Sequence, residues 1–284
     1  MLRSVLFAPG DNDEIMEKAL DSPSDGVVLD LEDAIAPSSK DDARELVSAF
    51  LDRHRDATST IAVRMNALDN GGFEDAELVA HPAVDQVLVP MVETGREAWH
   101  TAEIIRQFED RHDVPPASLF VVVETARGIA NVDEIATAHE KIDVLSFGLA
   151  DYATDADLQE SAERTEVLFQ RSVVANAAAH AGVQAFDFAT LETSDMNRVQ
   201  NDATAARRMG YTGKAAIHPD QLMPIHDVFT PAPDEVERAR KIVNAYEEAG
   251  EPGVLTVDGE MVDKPVVEGA RRTLELADEF DDSD

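Results

Sequence analysis

The sequence contains no cysteine and few aromatic residues. Without cysteine, a disulfide framework, a thiolate nucleophile and a cysteine-ligated zinc site are all excluded. Aromatic residues make up 5% of the chain, whereas hydrophobic residues as a whole make up 44%. We therefore expect a sizeable core that is built mostly from Val, Leu, Ile and Ala.

Long apolar segments are also missing. No uninterrupted apolar run approaches the roughly 20 residues that a membrane span needs. The opening residues 1–10 hold only a short apolar run, which is typical of a β-strand rather than of a signal peptide. These features predict a soluble, cytoplasmic protein.

Positive charge is scarce, with 24 Lys and Arg against 58 Asp and Glu and a formal net charge of −34. A nucleic-acid-binding protein needs a positive contact face, and an anionic membrane repels a negative one. The composition therefore argues against both partners. Self-repulsion at this net charge destabilises a compact fold unless salt screens it. We expect a protein from a high-salt cytoplasm, with an ordinary acidic mesophilic protein as the alternative.

Short apolar segments alternate with longer amphipathic segments over residues 1–228. Eight segments are predicted as strands: Ser4–Ala8, Gly26–Leu31, Thr60–Met65, Gln86–Val89, Leu119–Val123, Val144–Phe147, Val183–Phe188 and Ala215–Ile217. Helical patterns lie between them, among them Asp13–Leu20, Ser39–Arg53, Arg96–Asp110, Glu163–Ala181 and Asp195–Met209. Eight such units in about 225 residues predict a (β/α)₈ barrel. An open doubly wound sheet is the alternative, but no Gly-x-Gly-x-x-Gly follows the first strand.

The composition changes after residue 228. The segments there are a linker at Phe229–Pro233, a helix at Asp234–Ala249, a hairpin turn at Asp258–Gly259 and a last helix at Lys264–Ala277. An Asp-Gly pair between apolar residues is a strong hairpin signal. We therefore expect a catalytic barrel at 1–228 and a C-terminal extension at 229–284, which caps an active site of its own or of a neighbouring subunit.

Polar residues cluster where the predicted strands end, which is where barrel enzymes carry their catalytic groups. They are Asp30, Glu32, Asp33, Arg64, Glu124, Asp151 and His218. Glu124 and Asp151 follow neighbouring strands, and a pair of carboxylates suits Mg²⁺, which completes its octahedron with water and substrate. A helix N-cap is the alternative for either acid taken alone.

The other polar residues at the strand ends each have two interpretations. The three acids of 30–33 are predicted to support the metal ligands through hydrogen bonds, or to cap helices, rather than to bind the ion. Arg64 either binds a substrate anion or pairs with an acid, since a buried arginine needs a partner. His218 either contacts substrate or starts the next helix ahead of Pro219.

Seven motifs occur in order along the chain: residues 3–10 (RSVLFAPG), 30–34 (DLEDA), 63–66 (VRMN), 123–126 (VETA), 148–152 (GLADY), 213–219 (GKAAIHP) and 262–267 (VDKPVV). With them the chain resembles the citrate lyase β-subunit-like family of the HpcH/HpaI metal-dependent aldolases. That family includes malyl-CoA, methylmalyl-CoA and citramalyl-CoA lyases. The resemblance covers essentially the whole chain.

The resemblance implies roles for individual residues. Glu124 and Asp151 match the two Mg²⁺ ligands, with Mn²⁺ as an alternative ion, and Arg64 matches the arginine that contacts a substrate oxygen. Asp263 resembles a catalytic acid/base that the extension brings to a neighbouring subunit, which implies a homo-oligomer, a trimer or hexamer. A helix cap ahead of Pro265 is the other interpretation of Asp263. The residues that resemble positions near the coenzyme A or acyl-carrier arm are Arg3, Pro9, Gly10 and Lys18.

Two departures from the family pattern leave the substrate open. Met91 stands where the family often has lysine, and the loop Phe186–Glu192 after the seventh strand differs from the usual pattern. The resemblance implies a lyase that acts on an acyl-CoA thioester and a small 2-oxo acid, glyoxylate or pyruvate. A citryl lyase subunit acting on a carrier-bound substrate, an acyl-CoA thioesterase and a non-catalytic CoA-binding paralogue are the alternatives.

Overall fold

A closed barrel of eight parallel strands forms the larger part of this computed structural model, which describes residues 1–159, 161, 164–250 and 252–281. Each strand pairs with the next along the chain, and the eighth pairs back with the first. The strands are β1 Ser4–Pro9, β2 Gly26–Asp30, β3 Thr60–Arg64, β4 Gln86–Val89, β5 Ser118–Val123, β6 Ile142–Phe147, β7 Gln184–Asp187 and β8 Gly213–Ala216. The predicted (β/α)₈ barrel is confirmed.

The interior of the barrel is closed by one residue from each strand. This buried cluster comprises Val5, Val28, Ala62, Leu88, Phe120, Val144, Phe186 and Ala215. Its two aromatic rings, Phe120 and Phe186, meet edge to face with centroids 5.3 Å apart. Gly213 makes room for Phe186, because a Cβ at residue 213 would lie 2.2 Å from the ring. The packed interior leaves polar side chains to the two ends of the barrel.

Helices surround the barrel. Those of the barrel region are α1 Asp13–Leu20, α2 Lys40–Arg53, α3 Gly72–Val79, α4 Gly95–His112, α5 Ala126–Ala130, α6 Val132–Ala136, α7 Leu149–Asp155, α8 Leu168–Ala181 and α9 Met196–Met209. The helix predicted at 163–181 begins later, at Leu168. Residue 163 lies outside the described residues, and Arg164 has a φ of 51°, which an α-helix does not accommodate. A short 3₁₀ turn at Thr165–Val167 leads into α8.

The chain divides into two compact units, Leu2–Ile225 and Met1 with His226–Asp284. Helix α10, Leu222–Phe229, spans the division, and the second unit continues with α11 Pro233–Glu248, β9 Val254–Val257, β10 Glu260–Asp263 and α12 Lys264–Asp281. The predicted helix–hairpin–helix is therefore confirmed. At the hairpin turn Asp258 and Gly259 have φ of 49° and 84°, and the strands pair antiparallel.

The second unit has a core of its own. Side chains of α11, β10 and α12 form it, namely Ala239, Ile242, Tyr246, Val262, Val267 and Ala270. Within the residues that the structure describes, no helix is both long and apolar enough to span a membrane.

Candidate metal and substrate site

A cavity of about 460 Å³ opens at the carboxyl ends of the barrel strands. Arg64 ends β3, Glu124 follows β5, and Asp151 lies in the first turn of α7, after β6. All three side chains line this one cavity. The other polar residues that line it are Asp33, Ser146, Arg164, Thr190, Glu192, Asp195 and Arg198.

Glu124 is almost completely buried, with 5% of its surface exposed. Its Oε1 accepts a hydrogen bond of 2.7 Å from the backbone N–H of Met91, a residue with a left-handed φ of 56°. Glu124 does not cap the next helix, because Thr125 Oγ1 accepts from the N–H of Gly128 at the start of α5. The carboxylate of Glu124 is thus free for another partner in the cavity.

The start of α7 approaches Glu124 closely. A Cβ at Gly148 would lie 2.3 Å from Glu124 Oε2, so only glycine allows this approach. Gly148 is the N-cap residue of α7, and Asp151 makes no side-chain hydrogen bond or ion pair within the described part of the chain. The capping alternative therefore applies to neither acid, and both carboxylates are available to a ligand in the cavity.

Burial and like charges raise the pKa of Glu124 to about 8. Loss of water around the buried carboxylate is the largest cause, and the negative charges of Asp151 and Glu32 add to it. The N–H of Met91 and the positive charge of Arg64 act in the opposite direction. Such an environment disfavours a charged Glu124 unless a cation enters the site.

Arg64 is surrounded by carboxylates. Its Nε and Nη2 donate to the two oxygens of Asp30 at 2.7 and 2.6 Å, and its Nη1 lies 2.8 Å from Glu32 and 3.1 Å from Asp33. Asp30 in turn accepts the backbone N–H groups of Glu32 and Ala34. Burial alone would lower the pKa of Arg64, but the carboxylates outweigh burial and raise it.

The part of the site around Arg64 carries more negative than positive charge. Three carboxylates, those of Asp30, Glu32 and Asp33, contact the guanidinium of Arg64, and those of Glu124 and Asp151 line the same cavity. Burial raises the pKa of Glu32 to about 7, Arg64 opposes this, and the neighbouring acids contribute to it. A divalent cation would offset the excess charge, so the donor set fits such an ion.

The fit is specific to an ion that needs few protein ligands. Among the described residues, no three acids or histidines are arranged to hold a metal together. Mg²⁺ commonly binds one or two carboxylates and takes water and substrate for the rest of its octahedron. A cavity with two available carboxylates suits that ion.

The residues predicted near the coenzyme A arm do not line this cavity. Pro9 pairs with Asp30 at the carboxyl end of β1, and the Gly10 N–H donates to Asp30 O at 2.9 Å. Lys18 is exposed on α1 and pairs with Glu14 at 2.7 Å. Their contact with the coenzyme stays a prediction.

Arg3 and His218 have structural partners instead. Arg3 precedes β1 and therefore lies at the amino end of the barrel, where its Nε and Nη2 donate to Asp25 at 3.0 and 2.6 Å. The predicted place of Arg3 near the coenzyme A or acyl-carrier arm stays a prediction. His218 Nδ1 accepts from the Asp220 N–H at 3.2 Å, so His218 starts the 3₁₀ turn Pro219–Gln221.

Asp263 ends β10 in the second unit and caps α12. Its Oδ1 accepts from the backbone N–H of Val266 at 3.3 Å, as the capping interpretation expects. Its Oδ2 has no hydrogen bond within the described chain, so the cap leaves one oxygen for chemistry. The catalytic role of Asp263 stays a prediction.

Sequence reasoning missed the two arginines on the cavity wall, Arg164 and Arg198. They belong to segments that are separate in the chain, and they meet through Asp202. The spacing of Arg198 and Asp202, four residues apart on a predicted helix, was a signal for their pairing. Nothing in the sequence indicated Arg164.

Fold and site together define a (β/α)₈ barrel protein with an acidic cation site at the carboxyl end of its strands. Comparison with known proteins agrees with this class. The sequence profile described as HpcH/HpaI aldolase/citrate lyase matches residues 3–219. The chain belongs to this family, as its motifs predicted.

Similar proteins cover nearly the whole chain. Citrate lyase subunit beta of Escherichia coli strain K12 is 34% identical over 97% of this chain and 93% of its own length. A (3S)-malyl-CoA thioesterase of Cereibacter sphaeroides is 32% identical over 97% of this chain and 94% of its own length. One similar structure is a crystal structure of the protein CitE from Mycobacterium tuberculosis in complex with magnesium, acetoacetate and coenzyme A. Its sequence is 27% identical, its TM-score is 0.79, and the match covers 97% of this chain and 98% of that chain.

Proposed function

We propose that this protein is a Mg²⁺-dependent carbon–carbon lyase. Its substrate is a 3-hydroxyacyl-CoA such as malyl-CoA, methylmalyl-CoA or citramalyl-CoA, which it cleaves to, or forms from, an acyl-CoA and glyoxylate or pyruvate. The observation that carries the proposal is the pair of available carboxylates, Glu124 and Asp151, in one cavity with Arg64. The magnesium, oxo acid and coenzyme A in the related CitE structure support the same chemistry.

Glu124 and Asp151 are the residues that would hold the ion. When bound, Mg²⁺ supplies a Lewis acid and a template for the carboxylate and the adjacent oxygen of the substrate. Oxygen ligands of this kind also accept Mn²⁺. Met91 orients Glu124 through its N–H, and Gly148 allows the start of α7, the helix that carries Asp151, to approach Glu124.

Arg64 is positioned to stabilise negative charge on a substrate oxygen. Asp30 holds its Nε and Nη2, which leaves Nη1 directed at Glu32 and Asp33. A substrate oxygen replaces one of these two carboxylates as the partner of Nη1. Because the guanidinium is already oriented, it needs no rearrangement when charge develops, and loss of such a donor typically costs about 10²–10³ in rate.

Cleavage also requires a proton. When the bond between the α and β carbons breaks, the 3-hydroxyl gives up its proton to solvent and becomes the carbonyl of the oxo acid. The electron pair of the broken bond stays on the acyl thioester as an enolate, which takes up a proton at the α carbon. Asp263 is the proposed general acid/base, through the oxygen that its helix cap does not use. It acts in the site of a neighbouring subunit, so the proposal includes a homo-oligomer.

The proposal is tested by a substrate screen. Malyl-CoA, methylmalyl-CoA and citramalyl-CoA are incubated with the protein, with Mg²⁺ or with EDTA, and glyoxylate and pyruvate are quantified. We expect one oxo acid to appear with Mg²⁺ and none with EDTA. Cleavage that continues at the same rate in EDTA would contradict a metal-dependent lyase.

Hydrolysis of the thioester is the second candidate, because a malyl-CoA thioesterase is 32% identical over nearly the whole chain. A thioesterase releases the free hydroxy acid and coenzyme A, whereas a lyase releases an oxo acid and keeps the thioester. Quantifying free thiol beside oxo acid in the same screen separates the two reactions. The similarity to citrate lyase subunit beta supports a third candidate, a carrier-bound substrate. This candidate predicts no activity on any of the free acyl-CoA thioesters in the screen.

A further inference from the structure

The floor of the cavity lies one level above the buried cluster that closes the barrel. Side chains alternate along a strand, so the residue two positions after a member of that cluster points inward at the next level. On β5 the member is Phe120, and Val122 follows at the next level. On β6 the member is Val144, and Ser146 follows. Val122 and Ser146 pair in register and line the cavity. Ser146 therefore lies on the floor, one level below Glu124.

Most of this floor is apolar. Ser146 pairs in register with Val122 on β5 and with Phe186 on β7. Other apolar side chains that line the cavity are Phe7, Leu88, Phe120, Phe188 and Ala215. Alanine or valine would pack against such neighbours without a polar atom to satisfy. Packing alone therefore gives no reason for a hydroxyl group at residue 146.

The hydroxyl of Ser146 has no partner within the residues that the structure describes. Ser146 is 6% exposed, and none of the hydrogen bonds of the described chain involves its side chain. Thr190, which lines the same cavity, instead donates its hydroxyl to Asp202 at 2.9 Å. A buried hydroxyl without a partner is unfavourable. The Ser146 hydroxyl is thus available to a ligand that reaches the floor.

The size of the cavity indicates which part of the substrate reaches the floor. Coenzyme A is too large for a cavity of about 460 Å³, so the thioester enters from the mouth and the far end of the acyl chain lies deepest. In the proposed reaction this far end becomes the oxo acid. Its carboxylate is charged, and the cation and Arg64 meet that charge.

The other oxygen of this far end is neutral and changes its character in the reaction. It is a hydroxyl group in the 3-hydroxyacyl substrate and a carbonyl oxygen in the oxo acid. A serine hydroxyl can accept a hydrogen bond from the first and donate one to the second, whereas a guanidinium can only donate. Ser146 therefore suits this oxygen better than it suits the carboxylate.

We propose that Ser146 is a further substrate-binding residue, whose hydroxyl forms a hydrogen bond with the oxygen that is the 3-hydroxyl of the substrate and the oxo group of the product. This inference rests on the proposed lyase function. The contact is a hydrogen bond and involves no proton transfer to Ser146. Ser146 thereby favours acids that carry an oxygen at this carbon over acids that lack it.

Binding of small acids tests the inference without turnover. Glyoxylate and pyruvate are titrated calorimetrically, in the presence of Mg²⁺, into wild type, Ser146→Ala and Ser118→Ala. Each oxo acid is compared with the acid that lacks its oxo oxygen, acetate for glyoxylate and propionate for pyruvate. Mg²⁺ alone is titrated as well, and thermal melting checks that each variant is folded. Ser118 begins β5 and does not line the cavity, so Ser118→Ala is the control for loss of a hydroxyl.

We expect Ser146→Ala to weaken binding of the oxo acid by about 2–10-fold, the usual net value of a neutral hydrogen bond. Binding of acetate, of propionate and of Mg²⁺ alone should stay unchanged, because none of these ligands presents the oxo oxygen. Ser118→Ala should bind every ligand as wild type does.

An equal loss for an oxo acid and its partner acid would overturn the contact with the oxo oxygen. A loss of affinity for Mg²⁺ alone would also overturn the proposal, since Ser146 would then support the metal site. Normal binding of oxo acids by Ser146→Ala would overturn this inference alone and leave water as the partner of the hydroxyl. If wild-type protein binds neither oxo acid, the proposed lyase function fails together with this inference.

Discussion

Charged side chains are arranged differently at the two ends of the barrel. At the amino end, charges are matched in pairs: Arg3 pairs with Asp25, and Lys141 pairs with Glu109 at 2.7 Å. At the carboxyl end, three acids contact the guanidinium of Arg64, and Glu124 and Asp151 line the same cavity. Matched pairs need no ligand, whereas the unbalanced cluster gains from a cation. The comparison separates the end that stabilises the barrel from the end that binds a ligand.

The largest effect is expected at the carboxyl end, from Asp151→Asn. Asp151 has no side-chain hydrogen bond or ion pair within the described residues, so the amide removes a negative charge that the ion needs and breaks no contact seen there. We expect Mg²⁺-dependent cleavage to be abolished while the melting temperature is maintained. Mg²⁺ titration and initial rates measure this, with Asp157→Asn as a control, since Asp157 is exposed and its φ of 49° is tolerated by asparagine. Normal turnover by Asp151→Asn would remove this acid from the metal site.

The side chain of Asp263 has one oxygen with a structural partner and one that is available to a ligand. One oxygen caps a helix, and the other has no hydrogen bond among the described residues. Asp263→Asn keeps the cap, because asparagine is a good N-cap residue, but removes the acid/base. We expect turnover to fall by about 10²–10⁴ with little change in substrate affinity or melting temperature. Full activity of Asp263→Asn would assign Asp263 to the cap alone.

A single change at the amino end should affect stability and not chemistry. Lys141→Met leaves Glu109, which is only 3% exposed, without its cation. We expect the free energy of unfolding to fall by about 3–5 kcal/mol, as measured by urea denaturation, and turnover of the folded protein to be unchanged. A loss of turnover in protein that is still folded would contradict the assignment of stability to the amino end and of catalysis to the carboxyl end.

The smallest expected effect is a pH dependence. Because burial raises the pKa of Glu124 from 4.5 to about 8, the folded state binds this proton more tightly than the unfolded state does. Its contribution to stability is therefore full below pH 4.5 and is lost as the pH rises to about 8.

Unfolding in EDTA at a series of pH values measures this dependence. In Glu124→Gln the free energy of unfolding should not show the decrease that the titration of Glu124 causes. The difference between wild type and this variant therefore separates Glu124 from the other titrating groups. Added Mg²⁺ should stabilise wild type more at about pH 8 than at about pH 6, because the proton competes with the ion. Identical pH profiles for wild type and Glu124→Gln would contradict the raised pKa.

Much of the fold followed from local pattern. Strands that are buried on both faces are continuously apolar, so the barrel strands were predictable from runs such as Leu119–Val123 without knowledge of contacts. Asp258-Gly259 specified its hairpin because both residues tolerate a positive φ. The start of α8 was not predictable, since nothing in the sequence indicates the left-handed conformation of Arg164.

The candidate site was only partly predictable. The rule that barrel chemistry lies at strand ends grouped Glu124, Asp151 and Arg64, and the motifs suggested their roles. The motif near the first strand does not say at which end of that strand each residue lies, and the role predicted for Arg3 stays a prediction. Arg164 and Arg198 were missed, since their common partner Asp202 is visible only in the folded chain. Expectations of a high-salt source and of an oligomer stay predictions.

The close approach at Gly148 limits how this barrel mouth can change. Any side chain there would collide with Glu124 Oε2, so substitution at this position displaces the carboxylate itself. The segment after β7 has no such restriction at Leu191 or Glu192, which are exposed. Substitutions at Leu191 and Glu192 are therefore possible without displacement of the Glu124 carboxylate.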